Sequence, residues 1–423
     1  MFQDRLRWGI LSWIVLVVLV AYFDRVNIAI AAPFLMKELG ISPGQLGLIM
    51  SGFTIGYTVL NFPAGFILDR FTLRKTYTVM FLLWSVMTFL TGAAWSFMSL
   101  MIIRIIFGMC EGPMPVANQK YVNAWMLPSE RAFSSGLWMG ALAMGVIFGN
   151  MLSAVIVDGY GWRSVFYIYG AAGIVLAYVT WMILRDRPEE HPAISKKEAE
   201  LINTSIARHA GSSAAQATGS SLGQLLTNPW VWILTVVYFS LGLMLWGNLN
   251  WLPTYFVKAR SSTLLKSGFY ATVPWIASFC GSTIMGWLSD HVGKRYRSPW
   301  LVLGLLGSAP GLYFAVTAES LNMCLMWFSV AGFFGWGALG IIYSVAMEII
   351  DRADVVKVSG IMLTGGSLAG IVAPTLIGYV LQITNSFNIA YYVFAAASLI
   401  GGCISFALIG REKALRRQRQ SVS

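Results

Sequence analysis

Charge is scarce in this chain. Of its 423 residues, 11% are Asp, Glu, Lys or Arg, less than half the share that soluble domains carry. With 57% hydrophobic residues, it reads as an integral membrane protein whose apolar runs are spans rather than core helices. Cysteine is scarce too. Cys110, Cys280, Cys324 and Cys403 all lie in apolar runs without CxxC spacing, so neither a disulfide framework nor a metal site is expected. The three histidines, His191, His209 and His291, are scattered and show no zinc-ligand spacing. No soluble domain and no nucleophile constellation is visible, which argues against an enzyme and against a cofactor.

Basic residues outnumber acidic ones 29 to 18, and their placement excludes nucleic acid as the partner. Of the 29, 21 lie in alternate connections: Arg5 and Arg7 at the start, then short loops, the middle segment with Arg185, Arg187, Lys196, Lys197 and Arg208, and the tail from 411 to 419. This is the positive-inside pattern, and it puts both termini in the cytoplasm. The expected location is the inner membrane of the cell, as a monomer in lipid. The first apolar run carries the small residues Ala29, Ala31 and Ala32 near its end, but it is interrupted by charges and succeeded by many further spans. It therefore reads as an uncleaved first helix.

Twelve apolar stretches of span length follow one another, near 9–33, 45–67, 76–95, 98–123, 133–157, 164–184, 230–256, 266–289, 299–317, 321–345, 357–381 and 388–410. Runs of this length are helices, because a barrel strand needs only about ten residues. The expected organisation is a six-helix bundle at 1–184, a cytoplasmic linker at 185–229, and a second six-helix bundle with a cytoplasmic tail at 230–423. The linker is polar, Ala/Gly/Ser-rich near 210–223, and long enough for one surface helix at 195–209.

The two halves repeat. "GFILDRFTLRK" at 65–75 returns as "GWLSDHVGKRY" at 286–296, an offset of 286 minus 65, or 221. Glu130 and Arg131 of "SERAFSSG" return as Asp351 and Arg352 at the same offset of 221. Two signals on one offset indicate a duplicated six-span unit, its copies related about the membrane normal.

These motifs resemble the major facilitator superfamily over essentially the whole chain. Its loop pattern of Gly, three residues, Asp-Arg, one residue, Gly and a basic cluster is met by Gly65, Asp69, Arg70, Arg74 and Lys75, with Thr72 and Leu73 in place of the usual Gly and basic residue. The second copy keeps Gly286, Asp290, Gly293, Lys294 and Arg295. The resemblance implies an all-α membrane fold of twelve transmembrane helices in two pseudo-symmetric six-helix bundles, with Asp69, Arg70 and Asp290 in a gating role that locks the halves in one state. A narrower resemblance, to the anion:cation symporter branch, is carried by "YFDRVNIAIAAP" (22–33), "RIIFGMCEGPMPVAN" (104–118) and, more weakly, "WLPTYF" (251–256). That branch includes permeases for galactonate, hexuronates, glucarate and aromatic acids, and the sialic acid transporter of animals.

Four charges stand inside spans: Asp24, Arg25, Arg104 and Glu111. A charge at the middle of a membrane helix costs at least about 2.5 to 3.5 kcal/mol, so four of them call for a function. Arg104 and Glu111, seven residues apart, share one helix face. Asp24 and Arg25 are neighbours about 100° apart and so serve different partners. Arg25 suits a substrate carboxylate, because its planar fork binds carboxylate bidentately and keeps its proton. Asp24 and Glu111 suit proton carriage, with Arg104 as the countercharge. Positions matching these four serve proton coupling and substrate binding in the resembled permeases.

Tyr22 shares the face of Arg25, and Tyr57 lies near the middle of span two. Both can hydrogen-bond an acid. Trp138, Trp246, Asn250, Trp275, Trp336 and Ser367 complete the candidate lining. Span five, "SSGLWMGALAMG", lacks the amide that galactonate-type permeases use there, which favours an apolar or aromatic carboxylate. The expected function is proton-coupled symport of an organic carboxylate, a sugar acid or an aromatic or aliphatic acid, into the cell by alternating access, with the site between the two halves. The alternative is an organic-anion exchanger or a drug or metabolite efflux carrier of the same fold.

Overall fold

The structure is a computed structural model that describes residues 5–212, 220–292, 296–351 and 353–420. Gly293, Lys294, Arg295, Arg352 and much of the Ala/Gly/Ser-rich stretch of the linker lie outside the described residues. Among the described residues, sixteen α-helices follow one another: α1 Leu6–Leu39, α2 Pro43–Asn61, α3 Ala64–Arg70, α4 Leu73–Gly92, α5 Phe97–Glu111, α6 Met114–Trp125, α7 Arg131–Tyr160, α8 Trp162–Ile183, α9 Lys196–Ser212, α10 Leu222–Thr227, α11 Pro229–Ala259, α12 Leu264–His291, α13 Ser298–Thr317, α14 Leu321–Ile349, α15 Val355–Thr384 and α16 Asn388–Gln420. No strand occurs among the described residues.

Nine spans among the described residues are long and apolar enough to cross a membrane, α5 and α6 counting as one, and a tenth is the bent pair α2 and α3. Helices α4 and α12, of 20 and 28 residues, complete the twelve expected. They are less apolar because Thr, Ser, Trp and Tyr are interspersed along them. Large apolar side chains such as Val59, Leu83, Phe148 and Val175 stand exposed on the spans. Lipid is the solvent in which such surfaces are stable.

Spans two and four are broken where proline falls. Helices α2 and α3 meet at 52° across Phe62 and Pro63, and α5 ends at Glu111 before Gly112 and Pro113. Proline lacks the N–H that would continue the helix, and its ring crowds the preceding turn. By contrast α1 runs through Pro33 and closes on Gly40, whose φ of 63° is the left-handed cap that glycine adopts freely.

Packing divides the chain into two units, Met1–Ile41 with Gly52–Gln216, and Ser42–Ser51 with Ala217–Ser423. In the first, α1 packs on α7 and α4 on α8. In the second, α11 packs on α15 and α13 on α16. The duplication is plain in these pairings: α12 begins 264 minus 43, or 221, residues after α2. Helix α9 belongs to the first unit, where buried Glu198 accepts hydrogen bonds from the Leu6 and Arg7 amides at 3.0 and 3.2 Å and from Arg7 Nη1 at 3.0 Å. On the far side of the linker, Ser220 donates its amide and hydroxyl to Asp354 at 2.8 and 2.6 Å.

Candidate functional site

A seam of glycine sets the site. A Cβ on Gly56 would lie 1.9 Å from the Ile105 carbonyl oxygen, and one on Gly108 would lie 2.0 Å from that of Phe53. Helices α2 and α5 therefore touch backbone to backbone, as small residues allow in membranes. Asn61 stitches the break in span four by donating to the Gly112 carbonyl at 2.8 Å. This contact holds Glu111, the last residue of α5, at a fixed height.

Opposite Glu111 lies Arg25 of α1, whose Nε donates to Glu111 Oε1 at 2.7 Å. Arg25 Nη1 donates to the Tyr22 hydroxyl at 3.0 Å. Three rings surround the guanidinium: Tyr22, Phe53 and Tyr57, with centroids 4.4, 5.0 and 5.1 Å from its central carbon. Cation–π attraction in this buried box adds to the ion pair. Arg25 is 8% exposed and Glu111 fully buried.

A second group lies beside the first. Asp24 is buried, and Glu111, Arg104 and the Thr88 hydroxyl act on its carboxylate. Arg104 Nη2 donates to Asn27 Oδ1 at 3.3 Å, with its guanidinium 5.3 Å from the Phe107 ring centre. Both Asp24 oxygens, Glu111 Oε2, Arg104 Nε and Asn27 Nδ2 are buried without a hydrogen-bond partner. Orphaned buried groups are rare in folded proteins, and these five polar atoms among the described residues cluster with the four charges, which makes this the candidate site. The four charges sum to zero, two of each sign.

Tyr22, Asp24, Arg25, Tyr57, Arg104 and Glu111 are thus brought together. Trp138 is buried on α7, and its indole N–H has no hydrogen-bond partner among the described residues. The second unit holds the remaining lining candidates. Asn250 donates to the Trp246 carbonyl of its own helix at 2.8 Å. Trp336 meets Trp275 edge-on at 5.4 Å, and both border a small cavity with Asn248, Pro274 and Ser278. Ser367 is half-buried on α15. In the loops, exposed Asp69 pairs with Lys120 of α6, and Asp290 with Arg297 at 3.1 Å, each inside its own unit; Arg70 is exposed.

Sequence reasoning missed Asn27, Phe53, Thr88 and Asn248. Two had a signal, since Asn27 and Asn248 are amides inside apolar spans at the repeat offset, 248 minus 27 being 221. Asn248 accepts from the Tyr391 hydroxyl at 3.2 Å.

The family model of the Major Facilitator Superfamily matches residues 14–374. The chain belongs to this superfamily. Among its relatives, the probable sulfoacetate transporter SauU of Cupriavidus necator is 31% identical over 412 residues, covering 95% of this chain and 93% of that protein. The probable galactarate/D-glucarate transporter GarP of Escherichia coli K12 is 30% identical, covering 98% and 97%. The hexuronate transporter of Bacillus subtilis is 29% identical, covering 96% and 93%. The crystal structure of a bacterial homolog of the human lysosomal transporter Spinster, inward-facing and unoccupied, superposes with a TM-score of 0.77 at 17% identity, covering 98% of each chain. At that identity it speaks for the fold, and the fold is that of the superfamily. This member of the Major Facilitator Superfamily is a multi-pass membrane transporter and not an enzyme.

Proposed function

We propose that this transporter carries a small organic carboxylate into the cell together with protons, by alternating access, from the cytoplasmic membrane with both termini inside. The carrying observation is the buried Arg25–Glu111 pair at 2.7 Å inside its aromatic box. The relatives named for sulfoacetate, galactarate, glucarate and hexuronates support the substrate class.

The coupling follows from charge. Asp24, Arg25, Arg104 and Glu111 are neutral as a set, so an arriving carboxylate leaves one uncompensated negative charge in a dry site. A buried excess charge is strongly disfavoured. Protonating Glu111 removes that excess and breaks its hold on Arg25, whose fork is then open to the incoming carboxylate. Tyr22 and Tyr57 stand ready to donate to the same anion. A dicarboxylate brings a second charge, and Asp24 is the second carboxylate able to take a proton. Asp69, Arg70 and Asp290, at the loops, serve gating by exchanging partners during the cycle.

The test is uptake into proteoliposomes driven by a pH gradient alone, which separates symport from exchange. Glu111→Gln is expected to lose this uptake and to retain exchange of acid for acid. Equal gradient-driven uptake by variant and parent refutes the proton role of Glu111.

A further inference from the structure

The second unit has another cavity, of about 350 Å3, at the ends of α11 and α13 remote from the linker and closed by the α15–α16 turn. Its polar lining comprises Tyr255, Lys258, Arg260, Asn385, Ser386 and Asn388, and no acidic residue is among those lining it. The volume lies at the small end of ligand pockets.

Each wall has a physical reason to attract an anion. Arg260 donates Nη1 to the Ala318 carbonyl at 2.7 Å, Nη2 to the Ala315 carbonyl at 3.0 Å and Nε to the Tyr255 hydroxyl at 3.2 Å. These acceptors are neutral, so they fix the guanidinium and leave its charge uncompensated. Lys258 is exposed and has no hydrogen bond or ion pair among the described residues. Ser386 Oγ accepts from the Asn388 amide at 3.2 Å and so caps the start of α16, the positive end of that helix dipole. The floor is rigid: Phe387 is buried and meets the Tyr255 ring edge-on at 5.4 Å.

The position also matters. Lys258 and Arg260 fall among the 29 minus 21, or eight, basic residues outside the one-sided set. Arg163, another of the eight, is neutralised by Glu38 at 2.9 Å. Lys258 has no such acid among the described residues.

We propose that this cavity is an entry-side capture site for a small organic carboxylate, held between the Lys258 ammonium, the Arg260 guanidinium and the α16 N-terminus. It rests on the carboxylate reading above but not on Arg25. Clefts of one charge sign raise the local concentration of an opposite ion and its rate of encounter.

The test uses the full chain in phosphatidylcholine liposomes, which offer no anionic headgroup, with radiolabelled D-glucarate, D-galactonate and sulfoacetate as probes. By equilibrium dialysis, Arg25→Ala is expected to retain a weak, salt-sensitive binding component for at least one acid. Adding Lys258→Gln is expected to abolish it, and adding Lys258→Arg to keep it. In uptake, Lys258→Gln alone is expected to raise the apparent KM about threefold at low ionic strength with the maximal rate retained, the difference closing in high salt. Unchanged melting temperature shows that the variant is folded. The proposal is overturned if none of the three acids shows a Lys258-dependent component. Binding that depends on Lys258 without any uptake refutes the transport reading and leaves the capture site standing; uptake without such binding does the reverse.

Discussion

The two units place different chemistry at matching positions of one repeat. At the offset of 221, Arg25 corresponds to Trp246 and Glu111 to Gly332, while Asn27 corresponds to Asn248. The first unit thus keeps an ion pair where the second has an indole and a glycine. The second unit offers Trp275 and Trp336 edge-on around a small cavity. The repeat supplies the same helix pairings twice, and the four charges inside spans stand in one copy only. The contrast is one of side-chain chemistry: buried charge in the first unit, aromatic and apolar surface in the second, which the proposed function reads as a division of labour.

Removing the cation is the largest way to break this contrast. Arg25→Ala leaves Glu111 buried without its ion partner, a loss of about 3 to 5 kcal/mol by analogy with broken buried pairs. Uptake should vanish and the melting temperature in detergent should fall. The double variant Arg25→Ala/Glu111→Gln should regain most of the melting temperature and none of the transport.

Next comes the proton. In Glu111→Gln, gradient-driven uptake should fall about a hundredfold, equivalent to about 2.7 kcal/mol. The sign of the pH dependence follows from the same step. A carboxylate that must bind a proton does so less as pH rises, so uptake by the parent falls as external pH rises. The Glu111→Gln profile should be flatter.

A smaller effect tests the seam that holds the pair. Gly108→Ala puts a methyl group 2.0 Å from the Phe53 carbonyl, and forcing α2 from α5 should cost about 1 to 3 kcal/mol of stability. Both melting temperature and uptake report it. The smallest expected effect belongs to the second unit. Trp336→Leu should change the ratio of apparent KM values between sugar acids and aromatic acids about fivefold, roughly 1 kcal/mol, with the pH profile unchanged. A shifted pH profile in Trp336→Leu would undo the division of labour.

Much of this was legible in the chain. Tyr22 lies one helical turn before Arg25 and shares its face, and the hydrogen bond at 3.0 Å follows from that spacing. The adjacency of Asp24 and Arg25 implied that the two could not share one partner well; in the structure Arg25 bonds Glu111, and neither Asp24 oxygen has a hydrogen-bond partner among the described residues. The identity of the Arg25 partner was not legible. Helical periodicity orients a side chain about its own axis and says nothing of which neighbour meets it, so Glu111, 86 positions away from Arg25, was one acid among several. The aromatic box was half visible: Tyr22 and Tyr57 carry hydroxyl groups that invite notice, whereas Phe53 looks like any core residue.

Composition and repeat determined the membrane, the helices and the twofold plan, because apolar runs of span length have no other stable state in lipid. Two motifs at one offset determined the duplication. Tertiary structure alone decided that Arg25 bonds Glu111 rather than Asp24, that Asn27 rather than Asp24 takes the Arg104 hydrogen bond, and that Asp69 and Asp290 pair inside their own units. The physical reason is that hydrophobicity does not choose among helix faces in a solvent as apolar as the helices themselves. That choice falls to close contacts such as Gly56 on Ile105 and Gly108 on Phe53, which exist only once the helices have met.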